Sequence, residues 1–500
     1  IPERGDEMTA NWLTTANARS FRTGDVPSPV FSELRGDIMK KIRGGMRVVL
    51  FFGTRHADDV TLYVVLAEDD TSELLVSSSR FPAGDEYQSL TPDVPSFHLF
   101  EREFWEDTGI RPVGHPWLKP VRSGIDTQTR MGDHPFFSMD GREVHEVAVG
   151  PVHAGVIEPG HFRFQCTGET VHHLEIALGY QHRGVESLFL QGDALGKTAL
   201  AESITYDAVA HASCYAHAVE ALAACDTPDR ALAIRAVALE MERVGVHIGN
   251  LSALANDVGY LSACSFFQAR RTAIINALLS FSGSRFGRGL IRPGGVVHDI
   301  DAADTGTLVS IIDSTLDDVI MMGETMFDSA GVRSRFERTG IVTKRTAHAA
   351  GLVGVAAKAS GLPRDIRSAH PFGAYRERPI HAVTLDGGDV FSRGYIRFLE
   401  IQQSSRFIRE ALMHLPRGDI LSKPPSLAPD RMTIAMVEGV RGETIHAVIT
   451  DAHGAFARYK VKDASFNNWF GLALALRGEG VSDFPLCNKS FDLSYSGHDL

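Results

Sequence analysis

The stretch GYQHRGVE at residues 179–186, with GPVH at 150–153 and IEPGHFR at 157–163 before it, opens the larger part of this chain. The segment from Val144 to Gln165 is rich in β-forming residues and predicts strands. Beyond it, apolar residues between Ala231 and Asn250 recur at steps of three and four, which places them on one helix face. The sequence therefore predicts an α+β protein whose larger part begins with strands and continues as long helices, with further helices expected over Ala273–Gly283, Thr307–Phe327, Phe398–Leu415 and Trp469–Leu476.

Upstream of these motifs, the chain predicts a small α/β domain. Met46 to Phe52, Leu62 to Ala67 and Leu74 to Ser78 are short β-rich runs, and a polar turn separates the last two. Residues 123–142 are polar and contain Gly, Pro and Asp, which is typical of a linker. We expect a first domain over residues 1–122, a linker over 123–142 and a second domain over 143–500.

Composition excludes several classes of protein. The formal net charge of −12 argues against nucleic acid as a partner, because phosphates would repel the chain. No apolar run approaches the roughly 18 residues of a membrane span, and the N-terminal residues do not resemble an export signal. The five cysteines include no Cys-x-x-Cys pair, so we expect thiols rather than disulfides and no iron–sulfur cluster held by this chain alone.

The order of the motifs resembles a known family. The segments at 150–163 and 179–186, followed by EMER at 240–243, GSRFGRG at 283–289, ASGLPRDIR at 359–367 and DASFNNW at 463–469, are similar to large subunits of [NiFe]-hydrogenases. The resemblance is to the membrane-bound, formate-hydrogenlyase-type branch, which shares its fold with the quinone-site subunit of respiratory complex I. Residues 30–122 resemble the small peripheral-arm subunit of complex I, which that branch fuses in the same order.

The resemblance predicts where metal ligands would lie in this sequence. The family holds nickel and iron with two Cys-x-x-Cys pairs, which correspond here to Ile204 with Asp207 and to Ser494 with Gly497. Soft metal centres bind thiolates, and this set supplies none. We therefore expect no cofactor in this chain and a [4Fe–4S] cluster in a partner subunit.

Three residues near the first β-hairpin are candidates for proton transfer. The resemblance places Glu158 where hydrogenases have a glutamate that passes protons to and from the metal site, although it also suits a turn-capping role before Pro159. A buried carboxylate has a raised pKa and exchanges protons near neutral pH. His153 and His161 flank Glu158 and offer a parallel route.

The other candidates lie where the cysteine pairs are missing. Tyr206 is one residue from the position of a quinone-site tyrosine in complex I, which makes it a candidate hydrogen-bond donor. Asp207 replaces a ligand cysteine, and Asp492 matches the acid that begins the family's C-terminal motif. If the fold is kept, the segments 204–207 and 492–497 converge on one cleft and form a polar site or a proton route.

The polar stripe on the central helix admits two interpretations. Glu240, Arg243, His247 and Asn250 share one face, which faces either solvent or a polar domain interior. The family resemblance of the EMER motif favours the interior, whereas composition alone favours solvent.

Functions of different classes follow from the resemblance. The first is a redox-coupling subunit of a membrane complex that links electron transfer from a small iron–sulfur subunit to proton or ion translocation. Its partners are then that subunit, a ferredoxin-like subunit and antiporter-like membrane subunits, at the cytoplasmic face of the membrane. A quinone-reducing subunit is a variant of this function, and a non-catalytic platform is the alternative. An authentic [NiFe] hydrogenase is disfavoured by the missing thiolates.

We predict that the purified protein holds less than one nickel and one iron per chain. The reason is the replacement of all four thiolates by Ile204, Asp207, Ser494 and Gly497. Elemental analysis of the protein, with a cysteine-ligated [NiFe] hydrogenase as the positive control, measures this directly. About one nickel per chain would contradict the prediction.

Overall fold

The computed structural model describes residues 8–9, 11–122, 134–153 and 157–500. The structure is a mixture of helices and mainly antiparallel sheets, with β7 and β8 as a parallel pair, so the α+β prediction is confirmed. Within the described residues no helix is both long and apolar enough to span a bilayer.

The first region is built on a five-stranded antiparallel sheet in the order β1-β2-β6-β5-β4. The predicted β-rich runs form the three long strands of this sheet, and two helices complete the region. Its elements are β1 (Met8–Thr9), β2 (Trp12–Thr15), β3 (Ser20–Arg22), α1 (Phe31–Arg43), β4 (Arg47–Arg55), β5 (Asp59–Glu68), β6 (Glu73–Pro82), β7 (Glu86–Gln88), α2 (His98–Thr108) and β8 (Arg111–Val113).

Aromatic packing joins this sheet to α2. The ring of Phe51 on β4 lies edge-to-face with Phe97 and with Phe104, at centroid distances of 5.6 and 5.3 Å. Such pairs favour offset or edge-to-face geometry and bury large apolar areas. The buried alternate residues of β4 thus fasten α2 to one face of the sheet.

The predicted β-rich start of the second region is a three-stranded sheet in the order β11-β10-β9. Residues 134–142 of the predicted linker contact it, since the backbone N–H of Phe137 donates to Glu175 at 2.7 Å. Residues 123–133 of that linker lie outside the described residues. The next elements are β9 (Val144–Val149), β10 (His161–Thr167), β11 (Thr170–Ala177), α3 (Val185–Phe189), α4 (Thr198–Glu202) and α5 (Ala208–Ala223).

Long helices follow, as the periodicity predicts, and a C-terminal sheet with short helices ends the chain. The predicted helices correspond to α6, α7, α8, α13 and α14, each longer at its N-terminal end than expected. The remaining elements are α6 (Asp229–Asp257), α7 (Leu261–Ser282), β12 (Ile291–Arg292), β13 (Gly295–Val296), α8 (Ala302–Asp328), α9 (Ala330–Phe336), α10 (Lys344–Ala349), α11 (Gly354–Ala359), α12 (Ile366–Ala369), α13 (Val390–Met413), β14 (Arg431–Glu438), β15 (Glu443–Thr450), β16 (Phe456–Lys462), α14 (Ala464–Ala475), α15 (Phe484–Phe491) and α16 (Tyr495–Asp499).

The two regions share a sheet and buried ion pairs. Strand β3 of the first region pairs with β14, so the C-terminal sheet has the order β16-β15-β14-β3. Lys460 on β16 contacts Glu103 on α2 at 2.5 Å, and both side chains are buried. The boundary at residue 122 remains a prediction, and the contacts across it are extensive.

The polar stripe of α6 lies in the interior. Glu240, Arg243 and His247 are fully buried, and Asn250 is nearly so. Arg367 donates to Glu240 at 3.0 Å, and His247 lies 2.8 Å from Glu400 on α13. Of the two interpretations of this stripe, the structure shows the domain interior, because each buried charge has an opposite charge beside it.

Lys358 is the cation at the centre of this buried network. Its ammonium lies 3.1 Å from Asp365 and 3.4 Å from Glu438, and it also contacts Glu400. The lysine and all three acids are buried. Removing this ammonium would leave three buried carboxylates without the cation that they share, at a position where water cannot replace it.

We predict that Lys358→Met lowers the free energy of unfolding by about 3–5 kcal/mol, the cost of breaking a buried ion pair from one side. Urea denaturation monitored by circular dichroism measures the change. The matched control is Arg333→Gln, which removes an exposed pair with Glu337 and is expected to cost less than about 1 kcal/mol. Equal stability of Lys358→Met and the wild type would contradict this view of the network.

Candidate functional site

The site forms around the N-terminus of α5. Asp207 immediately precedes this helix, and its backbone N–H donates to Thr205 Oγ1 at 2.8 Å. The first amides of a helix have no partners within it and carry partial positive charge. Glu242 on α6 accepts from two of them, those of Val209 at 2.9 Å and Ala210 at 3.2 Å. A carboxyl of α6 therefore caps α5 beside Asp207.

A tight turn carries the arginine that completes the site. Strand β14 ends at Glu438 and β15 begins at Glu443, and Gly442 between them has a φ of +137°, which favours glycine. Arg243 on α6 donates to the backbone oxygens of Glu438 at 2.6 Å and Gly439 at 2.9 Å. The buried arginine of the polar stripe thus holds the turn in place.

Arg441, in that turn, joins the two segments that the resemblance brings together. Its guanidinium donates to Asp207 Oδ1 at 2.6 Å and to the backbone oxygen of Asp492. It also lies 4.1 Å from the ring centroid of Tyr206 and 3.9 Å from Asp492 Oδ2. The Tyr206 hydroxyl donates to the Asp492 carboxylate at 3.3 Å. The segments 204–207 and 492–497 therefore converge on one cleft.

The four positions of the expected metal ligands do not suit a nickel–iron centre. Ile204 is buried in the apolar core, and Ser494 Oγ accepts from the N–H of Gly497 at 2.9 Å. A Cβ added at Gly497 would lie 2.8 Å from Cγ of Asp463 and 2.9 Å from Cγ2 of Thr205. Position 497 has no space for a cysteine side chain, and the oxygen donors present are hard ligands rather than the thiolates that nickel requires.

The proton-transfer candidates lie beside the C-terminal segment. Glu158 is half-buried, and its carboxylate accepts from the backbone N–H of Ser496 at 2.9 Å. Ser496 Oγ lies 3.3 Å from Ser494 Oγ in the same segment. His161 Nδ1 lies 3.1 Å from the carbonyl oxygen of Gly150, and the ring of His153 faces Phe162 at 6.1 Å. The structure thus places Glu158 at this segment, with the two histidines on the adjoining β-hairpin.

Several carboxyls share the interior of the cleft, which changes their proton affinity. Burial raises the pKa of Asp207 well above its usual value, and the charges of Glu242, Asp463 and Asp492 raise it further. Burial also raises the pKa of Glu242 to about 8, although the amides that it caps favour its ionised form. The cleft therefore retains carboxyl protons near neutral pH.

Asp463 behaves differently from its neighbours. Burial favours its neutral form, but the hydrogen bond and charge of His211, together with Arg441, lower the pKa of Asp463 to about 2. His211 lies 3.4 Å from Asp463 and 3.1 Å from His446, whose other ring nitrogen lies 2.7 Å from the Tyr459 hydroxyl. Asp463 is consequently ionised at neutral pH.

Glu242, Arg441 and Asp463 are site residues that the sequence analysis did not select. Two signals pointed to them, because Glu242 lies within the EMER motif at 240–243 and Asp463 begins the DASFNNW motif at 463–469. Arg441 lies in no quoted motif, and only the turn geometry reveals it. Asp207, Asp463 and Asp492 lie around Arg441, and together with Glu242, whose charge acts on Asp207, they form the carboxyl cluster.

We predict that Gly497→Ala lowers the melting temperature, because the added methyl group overlaps Asp463 and Thr205. Overpacking of a buried site typically costs about 1–3 kcal/mol. Gly306→Ala is the control, since Gly306 lies on the exposed side of α8 with no atom within 4 Å of its added Cβ. That variant is expected to be neutral or stabilising. Equal melting temperatures for Gly497→Ala and the wild type would show that the segment has room.

Known proteins are similar to this chain in sequence and in fold. Residues 257–434 match the family described as respiratory-chain NADH dehydrogenase, 49 Kd subunit. A chain of the membrane-bound sulfane sulfur reductase, an archaeal respiratory membrane complex, superimposes with a TM-score of 0.67 at 24% identity, covering 73% of this chain and all of that one. This structural likeness establishes the fold.

Sequence identity establishes the family. Hydrogenase-4 component G of Escherichia coli strain K12 is 30% identical over 437 residues, which are 83% of this chain and 76% of that protein. Formate hydrogenlyase subunit 5 of the same organism is 30% identical over 438 residues, which are 83% and 77% of the two chains. The resemblance drawn from the motifs is confirmed, and the chain belongs to the family of hydrogenase-4 component G and formate hydrogenlyase subunit 5.

Proposed function

We propose that this chain is a redox-coupling subunit of a membrane complex. In this proposal, the cleft between segments 204–207 and 492–497 binds and releases protons without a nickel–iron centre. The observation that carries the proposal is the carboxyl cluster at Arg441, in which Asp207 occupies the position of one of the family's thiolates and has a raised pKa. Relatives are subunits of hydrogenase-4 and formate hydrogenlyase, which supports a role in an oxidoreductase. The chain supplies the protonatable groups, and a partner supplies the electrons.

In this proposal the partner is a small iron–sulfur subunit whose [4Fe–4S] cluster faces the cleft. An electron that reaches the edge of the cleft adds negative charge there, and a negative charge raises the pKa of nearby carboxyls. Protons then enter the carboxyl cluster and leave when the electron moves on. Antiporter-like membrane subunits and a ferredoxin-like subunit would complete the complex at the cytoplasmic face of the membrane.

In this proposal, Glu158 passes protons between the carboxyl cluster and the solvent. It is half-buried, and its carboxylate accepts from the backbone N–H of Ser496, in the C-terminal segment that also contains Ser494. A carboxyl with one side toward solvent can exchange protons with water and with a buried neighbour. The alternative function is a non-catalytic platform, which needs no proton route. The effect of removing the Glu158 carboxyl distinguishes the two functions.

We predict that Glu158→Gln lowers turnover of the assembled complex by about 100-fold, because glutamine keeps the hydrogen bond from Ser496 but cannot ionise. Glu158→Asp is expected to lose less, since it still titrates with a shorter reach. Electron-transfer-driven proton uptake in membrane vesicles, with subunit content checked by gel, measures the effect.

The matched control is Glu169→Gln, which makes the same change at an exposed position in the turn between β10 and β11. We expect it to retain wild-type turnover. Wild-type rates in an assembled Glu158→Gln complex would remove the proton route and favour the platform.

We also predict a pH dependence of stability from Glu242. Its pKa is about 8 in the folded protein against about 4.5 in the unfolded chain, so the folded state binds more protons between these values. The free energy of unfolding must then fall as pH rises from about 4.5 to 8. Glu242→Gln removes this contribution, so the difference between wild type and variant should decline across that window. Urea unfolding at several pH values measures it.

Glu324→Gln, an exposed change on α8, is the control for the pH series and should track the wild type throughout. A constant difference between the wild type and Glu242→Gln from pH 4.5 to 8 would show that Glu242 does not titrate in this range.

A further inference from the structure

An open cavity of about 350 Å³ adjoins the site on the side of α6 and α7. It runs from an exposed rim at Arg285 and Phe286 to the buried side chains of Met241 and Glu242. Tyr206 and Asp492 line its edge, and the rest of its wall is largely apolar. Cavities of this size with apolar walls and a few polar groups are typical ligand sites.

Three cations line this cavity without an ion pair of their own, although Asp492 and Glu242 line it as well. The side chains of Arg271, Arg285 and Lys489 face the cavity, and none makes a hydrogen bond or an ion pair within 4 Å with another described residue. Lys489 attracts Asp257 only at a longer distance. The chain has a net charge of −12, so carboxylates are abundant, yet none pairs with these three groups. Concentrated positive charge of this kind attracts anions.

The floor of the cavity is made by residues with little or no side chain. Gly245, Gly249 and Ala253 follow one another at steps of four on α6, and all three line the cavity. Glycine inside a helix costs about 1 kcal/mol relative to alanine. Packing does not require it at position 245, because an added Cβ would meet Ile274 and Ile275 at an ordinary 3.5 Å. These residues keep larger side chains of α6 out of the cavity, and the side chain of Arg271 on α7 lies over Gly249, 3.0 Å from an added Cβ.

The polar groups of the inner wall suit an uncharged part of a ligand. Asn250 Oδ1 is buried and has no hydrogen-bond partner among the described residues, while its amide donates to the backbone oxygen of Lys489 at 2.8 Å. It is an acceptor for a hydroxyl group or a water molecule. Glu242 at the floor is a neutral carboxyl below about pH 8, which reduces its repulsion of an anion.

We propose that this cavity binds an anionic amphiphile, with its carboxylate or phosphate on Arg271, Arg285 and Lys489 and its acyl chain against Met241, Ile275 and Leu278. The three cations favour a ligand with a negative charge, and the apolar wall favours a ligand with an acyl chain. The same chemistry belongs to a free fatty acid and to the headgroup end of an anionic lipid. Glu158 is not part of the cavity, so failure of the Glu158 experiment and failure of the binding experiment are distinguishable.

Titration calorimetry with the full chain tests the charge requirement. We expect decanoate to bind and decanamide, which has the same chain without the charge, to bind at least tenfold more weakly. Arg271→Gln and Lys489→Gln should each weaken decanoate binding about tenfold, since a hydrogen bond to a charged group is worth one to two factors of ten. Arg288→Gln is the matched control, because it removes a charge from the same loop as Arg285 without lining the cavity.

A larger side chain at position 245 tests whether the acyl chain of decanoate lies in the cavity. Gly245→Leu should abolish decanoate binding, whereas Gly245→Ala should keep it and verify that the helix tolerates a side chain there. Flotation with phosphatidylglycerol and phosphatidylcholine vesicles then distinguishes the sources. Binding only to phosphatidylglycerol, lost in Arg271→Gln, identifies a lipid headgroup, and decanoate binding without flotation identifies a free carboxylate. Equal affinity for decanoate and decanamide, or no binding of either probe or vesicle, would overturn the proposal.

Discussion

The arrangement of the cleft depends on one guanidinium, that of Arg441, which is held beside the carboxyls of Asp207, Asp463 and Asp492. Its place is set by a four-residue turn between β14 and β15, which a second buried arginine, Arg243, fastens through two backbone carbonyl oxygens. Because Arg243 belongs to α6, the central helix and the C-terminal sheet are fixed relative to each other at this point. A buried charge is tolerated only where opposite charges or hydrogen bonds surround it, so packing and electrostatics constrain the same residues.

The likeness to the relatives is one of sequence and fold. In this chain the segments 204–207 and 492–497 converge on one cleft through Arg441. At the cleft, however, Gly497 packs against Asp463 with no space for a side chain, and Asp207 accepts a hydrogen bond from Arg441 at the position expected for a metal-binding thiolate. In the account proposed above, protons on carboxyls take over the balance of charge that a metal centre would otherwise provide. The groups that change charge are then aspartates and glutamates.

Much of the fold follows from the sequence, because apolar periodicity identifies α6, α8 and α13 and β-rich runs identify the strands. The convergence of Asp207 and Asp492 was also accessible, since ordered motifs imply a shared fold. Arg441 was not, because it reaches Asp207 from 234 residues away through a turn that no motif marks. The polar stripe of α6 was ambiguous for a related reason. A row of charges on a helix looks the same in sequence whether water or distant counter-charges face it.

The central claim is that the cleft holds a carboxyl proton at neutral pH and that Arg441 does not remove it. Infrared difference spectroscopy of the wild type against Glu242→Gln reads this directly, since protonated and ionised carboxyls absorb at different frequencies. The account predicts a protonated-carboxyl band at pH 7 that is absent from the variant and disappears from the wild type as pH rises through about 8. A wild-type spectrum at pH 7 that shows only ionised carboxylate for this residue would contradict it.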